Sequence, residues 1–452
     1  MRIGLSKLIV ERMKCEEERV GWVGGDEKEV KVKRTEEYGG EDNGLRVIVK
    51  PEPSKQQLVE NMYVTRRLSL YRRSPECLTE PPPEGPNSGY LVLLDEEAET
   101  TVCFGLCKAC YIGDLPFPQN KDLTIIYREG EDNVNYEVLF IPVLNQPLSS
   151  KQYYVIRRKG KHKGKACTNS KEEDKSSCCC FPRVKDVKPR PLVPTDTYQQ
   201  VEMFRSKCWG FSAKSVAPDG IPPDYLRTKG WDVRKATPKN YQLNEAAGLN
   251  SSLRNRLPHF NFSLFGTESS SKPVVIGKWY CPFAFVHEEE MELEDQMNTS
   301  TFYEVTLEQR WDKIFACDNT EMTKTEEVFV DVIVKKEEVF IGGVFGDGKD
   351  VISNGVMWFT TRSDGEGKEK RVGLSMLVVE RMKWEEERVG WKAGGEGEVR
   401  LKNAVEFEGI DEYWTKFGCF VLVERFVFKR MDGSTVLTYD FKHTHQIRFK
   451  WE

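Results

Sequence analysis

Two stretches of alternating apolar and polar residues near the C-terminus are separated by an Asp-Gly turn, and this pattern most constrains the fold. The stretches are VLVERFVFKR (421–430) and TVLTYDF (435–441), with MDGS (431–434) between them. Alternation with a period of two puts the apolar side chains on one face of a strand. Asp-Gly favours the tight turn of a β-hairpin. The pattern therefore predicts two antiparallel strands, which need neighbouring strands to cover their apolar face.

Similar short apolar stretches recur along the chain from Met62, separated by turns rich in proline and glycine. Examples are GYLVLLD (89–95), LTIIYRE (123–129), YEVLFIPVL (136–144) and QYYVIRR (152–158). Several short strands at regular spacing are typical of a sandwich. The predicted fold class is mainly β, or α+β with few helices. We expect two antiparallel strand-rich domains, of which the C-terminal one is sandwich-like.

The length of 452 residues allows two or three domains, each with a core of its own. We predict an N-terminal strand-rich domain over residues 62–190. A connector that is rich in loops and partly helical follows over residues 191–270. Residues 271–452 are predicted to form the C-terminal antiparallel β domain.

Residues 2–22 nearly repeat residues 371–391, with 17 of 21 aligned positions identical. The first copy lacks the strand-like flanks of the second, so it cannot bury an apolar face by itself. We interpret residues 1–61 as a partial duplicate of the C-terminal region that does not fold independently. In this interpretation an intact unit begins at Met62. The alternative is a functional extra strand that augments a sheet.

The second copy of the repeat, GLSMLVVERMKWEEERVGW (373–391), is ambiguous between helix and strand. Its glutamates and arginines favour a helix. Its segment LVVERMKW (377–384), however, resembles the strand-like VLVERFVFKR (421–430). On the basis of that resemblance we predict a strand.

Composition excludes several classes of protein. The formal net charge is −5, from 67 basic and 72 acidic residues, so no global basic field indicates nucleic acid. No apolar run approaches the roughly 18–20 residues that cross a bilayer, so we predict a protein that does not span a membrane. The first residues include Arg2 and Lys7 and lack the apolar segment of a signal peptide. The 13 cysteines are irregularly spaced, and we expect reduced thiols in the cytoplasm or nucleus.

The sharpest electrostatic feature is RRKGKHKGK (157–165), which we call the basic loop. Such a cluster can bind the phosphates of an anionic lipid or a nucleic acid in a salt-dependent manner. The alternative is the solvated tip of a hairpin, because the cluster follows a predicted strand. The candidate anion-binding residues are Arg157, Arg158, Lys159, Lys161, Lys163 and Lys165.

Two serines follow paired arginines, in TRRLS and YRRSP. Kinases that recognise basic residues accept this context, so Ser69 and Ser74 are candidate phosphorylation sites. A phosphate there would add negative charge beside four arginines. Plain surface strands are the alternative.

No motif survives as a catalytic or metal-binding signature. GGVFGDGKD (342–350) has aspartate where a phosphate-binding loop needs serine or threonine, and a hairpin turn explains it better. His443 and His445 share a face of a predicted strand but lack an evident third ligand, so we expect a solvent-facing or hydrogen-bonded pair. The cysteines of CFGLCKAC (103–110) and CCC (178–180) do not form two clean ligand pairs. We predict no catalytic, cofactor-binding or metal-binding residue.

Several stretches together resemble a family of uncharacterised plant proteins, domain of unknown function number 1262. The resemblance covers nearly all of residues 62–452. It implies a plant source and a role in stress or defence responses. It brings no established catalytic residue, cofactor or substrate. The stretches are MYVTRRLSLYR (62–72), SGYLVLLDEEAETTVCFGLCK (88–108), YYVIRRKGKHKGKA (153–166), GVMWFTT (355–361) and VLTYDFKHTHQIRFKWE (436–452).

Three functions remain open at this point. The first is a non-catalytic intracellular binding or regulatory protein with an unidentified protein partner. The second is a phosphate- or lipid-binding module that uses the basic loop. The third, an enzyme, would require acids or histidines that converge in a pocket.

Overall fold

The structure is a computed structural model and describes most of the chain after residue 61. Residues 1–61 lie outside the described residues, so the interpretation of that segment as a partial duplicate stays a prediction. The structure describes residues 62–452 except 103–106, 130–131, 172, 174, 179–180, 207–209, 229, 321–326, 362–368, 393–396 and 408–412.

Strands make up most of the described secondary structure. In chain order they are β1 (Met62–Arg67), β2 (Ser88–Leu93), β3 (Thr101–Val102), β4 (Cys107–Lys108), β5 (Tyr111–Ile112), β6 (Asp122–Glu129), β7 (Asp132–Pro142), β8 (Gln152–Arg157), β9 (Ser170–Lys171), β10 (Lys175–Cys178), β11 (Phe181–Val184), β12 (Gln200–Arg205), β13 (Phe211–Ser215), β14 (Gly220–Ile221), β15 (Asp232–Ala236), β16 (Gly248–Leu249), β17 (Val274–Pro282), β18 (Val286–Glu288), β19 (Phe302–Asp318), β20 (Glu327–Lys335), β21 (Glu337–Ile341), β22 (Val344–Ser353), β23 (Val356–Thr361), β24 (Arg371–Ser375), β25 (Glu398–Glu406), β26 (Lys416–Lys429) and β27 (Thr435–Trp451).

The helices of the described residues are short. They are α1 (Leu68–Arg73), α2 (Asp224–Arg227), α3 (Ser251–Arg256), α4 (Leu293–Thr299) and α5 (Met376–Glu387).

The larger sheet contains twelve of the described strands. Its order is β18-β24-β23-β22-β21-β27-β26-β19-β17-β1-β2, and β16 also pairs with β17. β1 and β2 are parallel and are connected through α1, whereas β1 and β17 are antiparallel. The long strands β19, β26 and β27 form the centre of the sheet.

The smaller sheet contains seven described strands in the order β13-β12-β8-β7-β6-β15-β5. Its described pairs are antiparallel. The predicted fold class, mainly β with antiparallel sheets and few helices, is confirmed. The larger sheet takes β1 and β2 from before residue 190 and its remaining strands from after residue 247. The division into domains at residues 190 and 270 stays a prediction.

The two sheets share one buried hydrophobic cluster. Tyr63 of β1 packs in it, and its hydroxyl donates to the carbonyl of Pro142 at the end of β7 at 2.8 Å. Phe117, Phe140 and Trp231 stack in the same cluster on the side of the smaller sheet. Burial of this apolar surface is the main term that stabilises the packing of the two sheets.

The hairpin that the sequence predicts around Asp432 and Gly433 is present. β26 and β27 are antiparallel, and the amide of Arg430 donates to the carbonyl of Ser434 at 2.9 Å. Gly433 has a φ of +86°, a conformation that glycine adopts without steric strain. The four earlier stretches that the pattern predicts as strands coincide with β2, β6, β7 and β8.

The predicted strand over residues 377–384 is wrong, because the chain there forms α5. Glutamate, arginine, lysine, leucine and methionine are strong helix formers. The buried positions of α5 recur at the three- and four-residue spacing of one helix face. Half of them are charged, so apolar periodicity does not reveal this face. They are Val378, Val379, Arg381, Met382, Glu385 and Glu386.

Candidate functional site

The basic loop is a tight turn at the end of β8. The amide of Arg157 donates to the carbonyl of Lys165 at 3.0 Å, and the amide of Gly164 donates to the carbonyl of Arg157 at 2.8 Å. Gly160 and Gly164 have φ values of +79° and +77°, which glycine tolerates and other residues rarely adopt. The loop therefore has a defined backbone.

The two arginines of the basic loop are engaged within the protein. The Arg157 guanidinium lies 4.3 Å from the ring centre of Tyr136 and 5.3 Å from that of Tyr225. Arg158 is 2.7 Å from a carboxylate oxygen of Asp122, which offsets its charge. The arginines thus fasten the loop to the smaller sheet.

Two lysines of the basic loop are also paired. Lys159 forms an ion pair with Glu137 of β7. Lys163 donates to the side-chain oxygen of Asn298 on α4 and lies 3.7 Å from a carboxylate oxygen of Glu294 on the same helix. The acidic run HEEEMELED (287–295) includes the start of α4, and its Glu294 contributes to holding the basic loop.

The remaining two bases of the loop, Lys161 and Lys165, have a different environment. Lys161 is exposed and Lys165 is half-buried. Neither ammonium group has a hydrogen-bond or ion-pair partner within the part of the chain that the structure describes. The structure therefore places all six candidate anion-binding residues on one loop but leaves only this pair free. Anion binding itself stays a prediction.

A cleft of ≈ 690 Å³ lies beside the basic loop. Arg158 of the loop contacts two residues that line it: the guanidinium donates to the side-chain oxygen of Asn240 at 3.2 Å and lies 5.3 Å from the ring centre of Tyr241. The lining residues come from the start of β6, the segment after β15, the end of α4 and the β26–β27 turn. They are Asn120, Lys121, Thr237, Pro238, Lys239, Asn240, Tyr241, Gln242, Leu243, Thr299, Met431 and Asp432.

The charge of the cleft lining is uneven. Lys121 and Lys239 have no ion-pair partner among the described residues. The carboxylate of Asp432 accepts hydrogen bonds from the amide and hydroxyl of Ser434, which lower the pKa of Asp432. Two free ammonium groups and one hydrogen-bonded carboxylate leave the lining with excess positive charge.

The candidate phosphorylation sites lie at the two ends of α1. Ser69 is only 2 % exposed, and its amide donates to a carboxylate oxygen of Asp95 at 3.1 Å. Ser74 is half-buried directly after α1. A kinase would reach Ser69 only after local opening of the helix. Phosphorylation at both sites stays a prediction.

Three of the six cysteines in CFGLCKAC and CCC lie outside the described residues. Cys103 and residues 179–180 are not described. Cys110 is an exposed free thiol, whereas Cys167 and Cys281 are buried free thiols. Burial raises the pKa of Cys167 to about 11. A buried thiol with a raised pKa is a poor nucleophile.

A second polar assembly is buried where α3 and α5 meet the larger sheet. Its members are each almost completely buried. We call it the buried assembly: Arg254 of α3, Gln309 of β19, Glu386 of α5, Glu424 of β26 and His443 of β27.

Arg254 joins most of this assembly. Its Nε donates to one carboxylate oxygen of Glu424 at 3.1 Å, and a second guanidinium nitrogen pairs with the other oxygen. The same nitrogen lies 3.3 Å from Oε1 of Glu386. Gln309 Nε2 donates to Glu424 at 2.9 Å. A bidentate, hydrogen-bonded pair of this kind is the form in which buried charges are tolerated.

The two histidines of KHTHQ have different partners. Nε2 of His443 lies 2.8 Å from Oε2 of Glu386, and Nδ1 of the same ring lacks a hydrogen-bond partner among the described residues. His445 is exposed, and its Nε2 lies 3.1 Å from the carbonyl oxygen of Val389. Each histidine is therefore hydrogen-bonded, and only His443 belongs to the buried assembly.

Burial and charge shift the protonation of the assembly. Burial, with the nearby Glu424 carboxylate, raises the pKa of Glu386 well above its ordinary value. Burial acts upward on Glu424 as well, but the Arg254 guanidinium holds the pKa of Glu424 below its ordinary value. Burial lowers the pKa of His443 to about 4. These shifts favour the neutral forms of Glu386 and His443 beside the Arg254–Glu424 ion pair. In such a neutral pair the Glu386 carboxyl donates to Nε2 of His443.

The assembly also has donor atoms of a kind that binds metals. One ligand atom each of Glu386, Glu424 and His443 lie within 4.8 Å of one another. The ionised carboxylate among them, Glu424, is already neutralised by Arg254. The guanidinium thus supplies the positive charge that a metal ion would supply. The arrangement fits an internal ion pair better than a metal centre.

Sequence reasoning missed these residues for different reasons. Glu424 is a lone acid in the apolar strand VLVERFVF, and that position is a readable sign of a buried partner. Arg254 and Glu386 lie in polar stretches that do not reveal burial. Lys121 and Lys239 line the same cleft because β6 and β15 are adjacent in the smaller sheet.

Residues 84–181 match a family model described as "Protein of unknown function (DUF1262)". No curated protein sequence matches the chain. Among solved structures, the chain is similar to "Crystal structure of Cry35Ab1" with a TM-score of 0.40 and 9% identity, over 74% of this chain and 90% of that one. Of the helices that the structure describes, none is long and apolar enough to cross a membrane.

Replacement of Gly164 by alanine should loosen the contact between the basic loop and α4. The added Cβ would lie 3.1 Å from the carbonyl oxygen of Leu293. Gly160 has nearly the same φ, but a Cβ there meets nothing within 4 Å. Gly160→Ala is therefore a matched control with equal backbone strain. We expect Gly164→Ala to lower the free energy of unfolding by about 1 kcal/mol more than the control, measured by urea titration. Equal losses would contradict the packing of the loop on α4.

Replacement of Glu386 by glutamine should change how stability depends on pH. The raised pKa of Glu386 stabilises the fold fully below the unfolded pKa, and this contribution is lost as pH rises toward the folded pKa. The lowered pKa of His443 acts below its ordinary value of 6.5. Above about pH 6.5 His443 no longer contributes, and the loss from Glu386 continues toward its raised pKa, at most about 1.4 kcal/mol per pH unit. Glutamine cannot ionise and copies both hydrogen bonds of the protonated acid. We expect Glu386→Gln to gain stability relative to wild type as pH rises through this window.

Glu424→Gln is the control for that measurement. It removes the negative partner of Arg254 and leaves a buried unpaired charge, so we expect a loss of about 3–5 kcal/mol at pH 7. If Glu386→Gln and Glu424→Gln destabilised equally, the assignment of a neutral Glu386 would be wrong.

Proposed function

We propose that this chain is a non-catalytic binding protein that recognises a phosphate-bearing ligand through the basic loop, residues 157–165. The observation that carries the proposal is a difference among the six basic residues of the loop: some are paired within the described part of the protein and others are not. Four of them fasten the loop to its neighbours. Lys161 and Lys165 have no partner among the described residues and are available to a ligand.

A fixed loop favours binding in two ways. Its backbone hydrogen bonds and the contacts of Arg157 and Arg158 already define its shape, so little conformational entropy is lost when a ligand binds. Lysine ammonium groups bind phosphate as point charges and tolerate several orientations. The loop can therefore present two ammonium groups without prior rearrangement.

Further parts of the proposal come from the sequence and the family resemblance. These are a regulatory role in plant stress or defence responses, a cytoplasmic or nuclear location, and an unidentified protein partner. Anionic lipid and nucleic acid are the two macromolecular sources of phosphate that the basic loop suggests. The test below separates phosphate recognition from a general attraction to negative charge.

The double variant Lys161→Gln/Lys165→Gln should bind a phosphorylated probe more weakly than wild type. We would titrate the full chain with inositol hexakisphosphate by isothermal titration calorimetry, at about 50 and about 200 mM salt. We expect roughly fivefold weaker binding and a shallower salt dependence in the variant, because two ammonium contacts are lost.

The matched control is Lys272→Gln/Lys392→Gln, which makes the same change in net charge at two exposed lysines outside the loop. We expect the control to bind like wild type. Equal weakening in both variants would show attraction to overall charge and overturn the role of the basic loop, as would the absence of binding to wild type.

A further inference from the structure

The cleft beside the basic loop has walls that are fixed by side-chain hydrogen bonds to the backbone. The side-chain amide of Asn240 donates to the carbonyls of Met297 and Asn298 at 3.1 and 3.0 Å. The hydroxyl of Tyr241 donates to the carbonyls of Gln119 and Lys121, at 3.1 and 3.2 Å. The cleft is therefore a formed concavity that joins both sheets, which is typical of small-molecule sites.

The cleft offers an anion two ammonium groups. Lys121 and Lys239 line it from the start of β6 and the segment after β15, and neither has an ion-pair partner in the described part of the chain. The competing acid, Asp432, is held by Ser434. Arg158, which is paired with Asp122, closes one side through Asn240. A phosphate group would meet two lysines that lack an ion-pair partner among the described residues, against the single negative charge of Asp432.

The rest of the lining suits a hydroxyl-rich molecule with a small apolar face. Gln242 and Thr237 have side-chain polar groups without a hydrogen-bond partner among the described residues. Pro238, Leu243 and Met431 supply apolar surface. Amide and hydroxyl groups of this kind pair with sugar or polyol hydroxyls. The volume of ≈ 690 Å³ lies in the range of small-molecule sites. A nucleic-acid duplex is too large to enter a cleft of this volume.

We infer that the cleft is a binding site for a small phosphorylated polyol, whose phosphate is held by Lys121 and Lys239, while Arg158 of the basic loop supports the lining residues Asn240 and Tyr241. The inference rests on the proposed function, because it assigns the phosphate-bearing ligand of that function to one place. A phosphorylated polyol exists both as a free molecule and as the headgroup of an inositol lipid. The shared chemistry is the phosphorylated ring.

The test compares three double variants of the full chain by calorimetry. They are Lys121→Gln/Lys239→Gln in the cleft, Lys161→Gln/Lys165→Gln on the loop and Lys272→Gln/Lys392→Gln as the control for net charge. The probes are inositol hexakisphosphate, unphosphorylated inositol, and phosphatidylcholine vesicles that carry an inositol bisphosphate lipid. Thermal unfolding by circular dichroism confirms that each variant is folded.

We expect the cleft variant to bind inositol hexakisphosphate at least tenfold more weakly, the loop variant roughly fivefold more weakly, and the control like wild type. Unphosphorylated inositol should not bind measurably. Tight binding of the free phosphate with weak binding of the vesicles supports a free ligand, and the reverse supports a lipid headgroup at the same site.

The two proposals fail in different ways. If the loop variant loses affinity and the folded cleft variant does not, phosphate recognition stands and the cleft assignment is overturned. If the cleft variant loses affinity and the loop variant does not, the cleft assignment is supported and the role of the loop is overturned. If neither variant differs from the control, both proposals are overturned.

Discussion

The position of α5 on the larger sheet depends on one buried cation, the guanidinium of Arg254. It is shared by Glu424 of the central strand β26 and Glu386 of α5. Desolvation of these charges is costly, and a buried pair is weak support for stability by itself. Its effect is specificity: Glu386 of α5 lies 3.3 Å from a guanidinium nitrogen of Arg254 and 2.8 Å from Nε2 of His443, and both contacts require this placement of the helix. The assembly therefore fixes where the helix lies.

The same distinction between structural and free charges runs through the proposed binding region. Arg158 and Lys163 carry the same unit charge as Lys161, but their partners Asp122 and Glu294 fix the shape of the basic loop. Counting charges in the sequence therefore overstates the charge that a ligand meets. The lysines of the loop and the cleft that have no ion-pair partner among the described residues define the proposed site.

The sequence reveals those parts of the structure whose signals are local. The β26–β27 hairpin follows from alternation and an Asp-Gly turn, both visible within twenty or so residues. The helix α5 is missed because its buried face carries three charged residues. Arg381 and Glu385 pair with each other along the helix, whereas Glu386 contacts Arg254 and His443, which lie far away in the sequence. Lys121 and Lys239 could not be paired in advance, because their proximity depends on strand order in the smaller sheet. Long-range pairing of polar groups is the information that periodicity lacks.

The protonation state of His443 tests this account most directly, because the neutral Glu386–His443 pair follows only from the buried geometry. With histidine labelled by nitrogen-15, the ring nitrogens can be observed by nuclear magnetic resonance, and the chain has only five histidines. The account predicts that at pH 6 His443 is a neutral ring with the proton on Nδ1 and an accepting Nε2, because burial holds its pKa near 4. An imidazolium at pH 6 would contradict it, because Glu386 would then be ionised and would form an ion pair with the charged ring of His443.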